Sequence, residues 1–290
     1  MSPNGKPSSL LTHSPSPSST RELRSAGSTQ VPPLSTQAIF NEIVRKIPTI
    51  KEFTELVHES IQPKQGALIC RSLAESSVVE SRSARVNFNS FTGTLWVRVM
   101  PTELYDVPQR WFGHASRTWV FDGLINQSES SLLDIGVGTT FRGFAGQYTH
   151  SSKEPDLYLR PDTSPLPLII VESGWSESWP RLHADKDLWL NGSTDANLVI
   201  LLKWSKLSRN RGKGIVEIWR RDPAGGLTPI FPVPVPAPAP GADLVQFTKL
   251  DLFGQQMVSG QDPNAVLSLK LSDLRDFARE RMAQMGLTPA

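Results

Sequence analysis

A chain of 290 residues can hold one large domain or two small ones, and its 30 Lys and Arg against 28 Asp and Glu leave a net charge of only +2. That balance excludes a chain that is basic throughout, so any surface for nucleic acid has to be local. The single cysteine, Cys70, excludes an internal disulfide and suits a reducing compartment; with so few histidines it also excludes a Cys/His zinc module.

Residues 1–36 are rich in Ser and Pro and too poor in apolar side chains to fold, so a disordered tail is expected. The first thirty residues lack the apolar core of a secretory signal, and no apolar run in the chain approaches the ~20 residues that span a bilayer. An intracellular protein, cytoplasmic or nuclear and without membrane contact, is the expectation. From Gln37 onward Ile39, Phe40, Ile43, Val44 and Ile47 recur at helical spacing, and a second amphipathic helix is expected over Ile50–Ile61. Residues 37–84 therefore read as a helical extension that covers the core or docks a protein partner.

Residues 85–230 read as the α/β core. They open on a hairpin over 85–100 with its turn near Thr92 and Gly93. A helix from Pro108 to about Gln127 bears Trp111, Phe112, Trp119, Val120 and Ile125. Strand-like segments follow: SLLDIGVGTTFRGF, EPDLYLRP and PLIIVES, then a helix over about 179–190, then ANLVILLKWSKL and IVEIWRR. The Pro-rich stretch 231–242 reads as an extended polyproline-like loop, a second place for a protein partner. Residues 243–290 close the chain with a helix over about Leu271–Met285 packed on the core. The expected architecture is a mixed β-sheet flanked by helices.

Chemistry concentrates in residues 153–190. Asp156 and Glu172 are equidistant from Ser164, in the middle of the PDTSP turn. An antiparallel hairpin closed there opposes the two carboxylates on one face of the sheet. Opposed carboxylates repel unless a cation or a proton lies between them, and a hard divalent ion such as magnesium would resolve the conflict. In the following helix, Ser178 is a plausible cap and Pro180 is tolerated in the first turn. Lys186 falls near the centre of an apolar stripe of Trp179, Leu182, Trp189 and Leu190, where its charge needs a partner, and Glu172 is within its expected reach.

These residues resemble the PD-(D/E)XK superfamily, the restriction-endonuclease-like phosphodiesterases: EPD at 154–156, the strand LPLIIVE ending at Glu172, then a helix on the sheet. The segment is similar to a branch whose catalytic lysine has moved from the strand to the next helix, and it also resembles proteins of filamentous fungi. The resemblance covers about residues 110–220. It implies a restriction-endonuclease-like fold and phosphodiester hydrolysis assisted by Mg²⁺ or Mn²⁺, with Asp156, Glu172 and the Ser173 backbone as ligands. The family's usual lysine position holds Gly174, which leaves Lys186 as the substitute that positions the attacking water. Asp122 is a weak candidate for a further acid. DNA or RNA would be the partner, its backbone held by Lys203, Lys206, Arg209, Arg211 and Lys213, with Arg220 and Arg221 nearby.

The competing readings are weaker or non-enzymatic. GWSES at 174–178 nearly matches a nucleophile elbow, but Ser178 replaces its second glycine and the only later histidine is His183. DIGVGTTFRG is neither a P-loop nor a dinucleotide fingerprint. His150, near Asp156, has the chemistry of a ligand or base, but a lone loop histidine is more often neither. The main alternative is a nuclease fold that has lost its lysine and now serves as a catalytically inactive binding or scaffold protein.

Overall fold

The computed structural model describes residues 35–100, 102–175, 179–221, 227–239 and 241–290, all within one compact unit. The expected disordered tail lies, up to residue 34, outside the described residues. Ser35 ends it: its hydroxyl accepts from the Ala38 amide and caps helix α1 (Thr36–Lys46).

The second expected helix is a strand. Residues 54–58 form β1 (Thr54–His58), and the helix follows it as α2 (Pro63–Ala74), with Pro63 in its first turn. Thr54 and Val57 favour extended backbone, and a ladder partner for β1 decides against the helical spacing. After α3 (Ser77–Ser81), the expected hairpin forms from β2 (Arg85–Asn89) and β3 (Thr94–Val99), with Gly93 in its turn at φ +66°. The first sheet has the order β1-β3-β2, all antiparallel, so a strand inside the presumed helical extension belongs to the hairpin. Ile43, Ile69, Leu73, Phe88 and Val97 form its core with α1 and α2.

Gly66 of α2 lies against the Phe88 ring: a Cβ there would stand 2.1 Å from the ring. Gly66→Ala is expected to lower stability by about 1–3 kcal/mol despite the better helix former, measured by thermal unfolding.

The chain continues with α4 (Val107–Phe121), α5 (Gln127–Leu132), β4 (Leu133–Gly136), β5 (Leu157–Pro161), β6 (Ile169–Trp175), α6 (Trp179–Gly192), β7 (Leu198–Leu207), β8 (Arg211–Arg220) and β9 (Leu227–Phe231). Helix α4 stops short of Gln127 because Gly123, at φ +71°, turns the chain just past its end. The central sheet runs from a short C-terminal strand, β12 (Thr288–Pro289), in the order β12-β8-β7-β6-β5-β4, with β9 paired to β8. The β4–β5, β5–β6 and β7–β8 pairs are antiparallel, and β6–β7 is parallel across α6. The last elements are β10 (Leu244–Thr248), α7 (Lys249–Phe253), β11 (Val266–Lys270), α8 (Leu271–Gln284) and β12 (Thr288–Pro289). Between β9 and β10 the described part of the Pro-rich stretch runs without regular structure, with Val235 exposed.

One face of the central sheet carries Leu159, Val171 and Ile200 against Trp111, Phe112 and Leu274 of α4 and α8. The other carries Tyr158, Ile170 and Leu201 against Leu182, Leu188 and Trp189 of α6. Burial on both faces explains why LPLIIV and NLVILL are apolar almost without interruption. The architecture is thus a mixed sheet flanked by helices. Residues 152 and 153, just ahead of β5, form two isolated bridges that splice this segment to the first sheet and to the β4–β5 connection: Ser152 bridges to Phe88 of β2, and Lys153 bridges to Phe141. No helix among the described residues is long and apolar enough to cross a membrane.

Candidate functional site

The β5–β6 register pairs Leu157 with Val171 and Tyr158 with Ile170. Continued one residue, it opposes Asp156 to Glu172, as the symmetry about Ser164 predicts. Both carboxylates are almost completely buried, and both lie on the face that α6 covers.

The cations that separate them belong to the protein. Asp156 Oδ1 receives Arg85 at 2.5 Å and Arg98 at 2.9 Å, while its Oδ2 accepts the Ser173 amide at 2.7 Å. Glu172 Oε1 accepts the indole N–H of Trp189 at 2.7 Å, and its Oε2 meets the Lys153 ammonium at 2.9 Å. The same ammonium lies 2.9 Å from Asp185 Oδ2 and 5.0 Å from the centre of the Trp96 ring. Around this core Arg85 also meets Glu154, and Glu55 pairs with both Arg98 and Arg181. The Arg98 guanidinium stacks 4.4 Å from the centre of the Tyr105 ring.

Burial dominates the electrostatics. It pushes the Glu172 carboxyl up to about 8; Lys153 opposes that shift, and Asp185 and Asp156 add to it. Burial raises Asp185 as well, again against Lys153. For Lys153, burial works to lower the pKa, but the carboxylates of Asp185 and Glu172 outweigh it and the ammonium is held above its usual range. The triad therefore carries one cation between two coupled acids, both of whose carboxyls burial raises.

The lysine expected at the site is elsewhere. Lys186 pairs with Asp187 at 2.6 Å and lies 4.0 Å from the centre of the Trp219 ring, so it does not reach Glu172. The α6 position that turns inward is Asp185, one residue earlier, three after Leu182 and four before Trp189. A carboxylate on the apolar stripe was the available signal. For Lys153 there was none beyond its nearness to Pro155 and Asp156, because the bridge to Phe141 that fixes its backbone is long-range.

Ser173 lies within the β6–β7 ladder, its side chain accepting from the Trp204 indole at 3.0 Å. Both oxygens of Asp156 and both of Glu172 already have protein donors. As arranged, the expected ligand set does not fit a divalent ion without first releasing an arginine or Lys153. Among the described residues no group of three or more His, Cys, Asp or Glu side chains is placed to hold a metal ion.

Of the basic residues, Lys203, Lys213 and Arg211 share the sheet face of Glu172, because Leu201 pairs with Glu172 and Ser205 and Leu207 pair with Lys213 and Arg211. Lys206 lies on the opposite face, and Arg209 turns the hairpin at φ +60°. Arg220 and Arg221 bond main-chain carbonyls of Gln246, Leu190 and Ser193. Asp122 is the exposed C-cap residue of α4, which packs on the face of the central sheet opposite to the acids. His183 stacks on Trp179 and meets Glu217 at 2.7 Å, whereas Ser176 and Ser178 of the elbow-like stretch lie outside the described residues. His150 is exposed and lines a small cavity with Ser152.

A cleft of about 520 Å³ opens between β1, β3 and the first turns of α6, lined in part by Phe53, Glu55, Trp96, Trp175, Arg181 and Asp185. Two polar atoms in its lining are buried without a hydrogen-bond partner among the described residues: Asp185 Oδ1, an acceptor, and Trp96 Nε1, a donor. Comparison with known proteins finds no matching family model, no matching curated protein and no matching solved structure.

Proposed function

We propose that this chain is a nuclease-like fold serving as a binding module, with its acid–lysine cluster as a fixed, charge-balanced floor beneath the cleft. The observation that carries this reading is the Lys153 ammonium, fully buried and 2.9 Å from both Glu172 and Asp185. A buried lysine between two carboxylates fills the place a cation would take, and removing it would leave charges that burial penalises. The nuclease-like ancestry is supported by three antiparallel strands, a covering helix and a fourth strand parallel to the third, with Asp156 at the head of the second strand and Glu172 on the third. A ligand of the cleft would offer a donor to Asp185 Oδ1 and an acceptor to Trp96 Nε1, which matches the edge of an amide or a planar heterocycle between aromatic walls.

An active metal-dependent phosphodiesterase acting on DNA or RNA is the second reading, favoured by Glu172 and Asp185 meeting at one ammonium, with Asp156 opposite Glu172 across the β5–β6 ladder. Titration with millimolar Mg²⁺ or Mn²⁺ while following the melting temperature separates the two. The binding-module reading expects no shift, and intact DNA and RNA after incubation. A rise in melting temperature that Asp156→Ala abolishes, with cleavage of either polymer, would overturn it.

A further inference from the structure

A second cavity, independent of the acid cluster, is built from cations and hydroxyls. It measures about 300 Å³ and is lined by Ala67 and Arg71 of α2, Arg142 beside the bridging Phe141, and Thr149, His150, Ser151 and Ser152. Three segments distant in sequence converge there, and no carboxylate lines it among the described residues.

The two arginines differ from those around Asp156. Arg85 and Arg98 are held by acids there, as Arg275 is elsewhere by Asp243, whereas Arg71 and Arg142 have no ion pair and no hydrogen bond among the described residues. The hydroxyls beneath them are not equivalent. Ser90 donates to the Gln147 carbonyl at 2.8 Å, so the contact of 3.0 Å between Ser90 and Ser151 takes the Ser151 proton. Ser151 also accepts the Ser90 amide at 2.9 Å, and Thr149 donates to the Gly146 carbonyl. Ser152 alone is left over. Its backbone is fixed by two hydrogen bonds to Phe88, at 2.8 and 2.9 Å, yet its hydroxyl, on a residue 3% exposed, has no partner. A buried donor held rigid and unsatisfied, under two unpaired guanidinium groups and an imidazole, is complementary to an oxyanion.

We propose that this cavity binds a tetrahedral oxyanion, the terminal phosphate of a small phosphate monoester, with Arg71 and Arg142 providing the charge and Ser152 the hydrogen bond at the floor. The guanidinium fork matches two phosphate oxygens at once, and a space at the lower limit of small-molecule sites suits a ligand's end group. The acid cluster plays no part in this inference, so the metal titration neither supports nor damages it.

Calorimetric titration of the full chain with inorganic phosphate and with a nucleoside 5′-monophosphate tests it, with the unphosphorylated nucleoside as control. Saturable binding of phosphate or the monophosphate, but not of the nucleoside, is expected. Arg71→Gln and Arg142→Gln should each weaken it about tenfold, the size of one charge-assisted hydrogen bond. Ser152→Ala should weaken it severalfold while leaving the melting temperature unchanged or higher, because the lost hydroxyl had no partner. Binding of the nucleoside monophosphate at least as tight as that of inorganic phosphate supports the proposal, whereas binding of inorganic phosphate with exclusion of the monophosphate would overturn the monoester as the occupant and leave a free-anion site. No saturation by about 10 mM, or affinities unchanged in both arginine variants, would overturn it. Arginine-dependent binding of an unphosphorylated oligonucleotide with no phosphate binding would overturn it equally. The arginines are exposed, so their variants decide the matter even if Ser152→Ala proves unstable.

Discussion

Replacing Lys153 with methionine is expected to cost about 3–5 kcal/mol of stability at neutral pH, the loss typical of breaking a buried ion pair from one side. Methionine keeps most of the volume beside the Trp96 ring, so packing contributes little to the loss. What remains is two buried carboxylates, Glu172 and Asp185, with their shared cation gone. For a domain of this size the change corresponds to roughly 10 °C in melting temperature. Glu172, pushed up to about 8, already holds a proton near neutrality, so the deficit should shrink in acid as Asp185 is neutralised too, and Asp185→Asn in the same chain should recover part of it. Urea unfolding of the single and double variants measures this. A loss below about 1 kcal/mol would mean that the lysine does not occupy the space between the acids.

The second large effect is on the pH dependence of stability. An unfolded glutamate titrates near 4.5, whereas burial pushes Glu172 in the fold up to about 8. Between those values the native state holds a proton that the unfolded chain has released, so stability falls as pH rises. The contribution of Glu172 is fully present below the unfolded value and is lost as pH passes through about 8. The slope reaches at most about 1.4 kcal/mol per pH unit for one proton. Asp185, raised by the same burial, adds in the same direction. Lys153, held above its usual range, keeps its charge throughout this window. Arg98 and Asp156 complete the set of charges facing the group. Glu172→Gln should flatten the decline; chemical denaturation at pH 5, 7 and 8.5 would show it. A wild-type profile already flat across that range would contradict the buried position of the carboxyl.

The hairpin that opposes Asp156 to Glu172 was legible because its register follows from spacing about one turn, a local property. The covering helix was legible as an element, but its inward-facing charge was misplaced by one residue. Lys186 drew attention as a cation on an apolar stripe, yet its ammonium lies over the Trp219 ring and pairs with Asp187, while Asp185 takes the buried position. Lys153, Arg85 and Arg98 could not be read at all, since they reach the acids from the loop before β5 and from another sheet. The segment around Val57 was misread for a related reason: its pairing partner Trp96 is remote, and short amphipathic windows fit helix and strand alike.

The splice at residues 152 and 153 bears on cooperativity. Arg85 and Arg98 belong to the first sheet and Asp156 stands just before β5 of the central one, and the Ser152 bridge ties the segment that leads into β5 to β2 through the main chain. Peeling the first sheet away would strand a buried aspartate without its guanidinium partners and break both hydrogen bonds to Phe88 in the same step. Partial opening at this seam is therefore costly, and the two sheets are expected to melt together in a single transition.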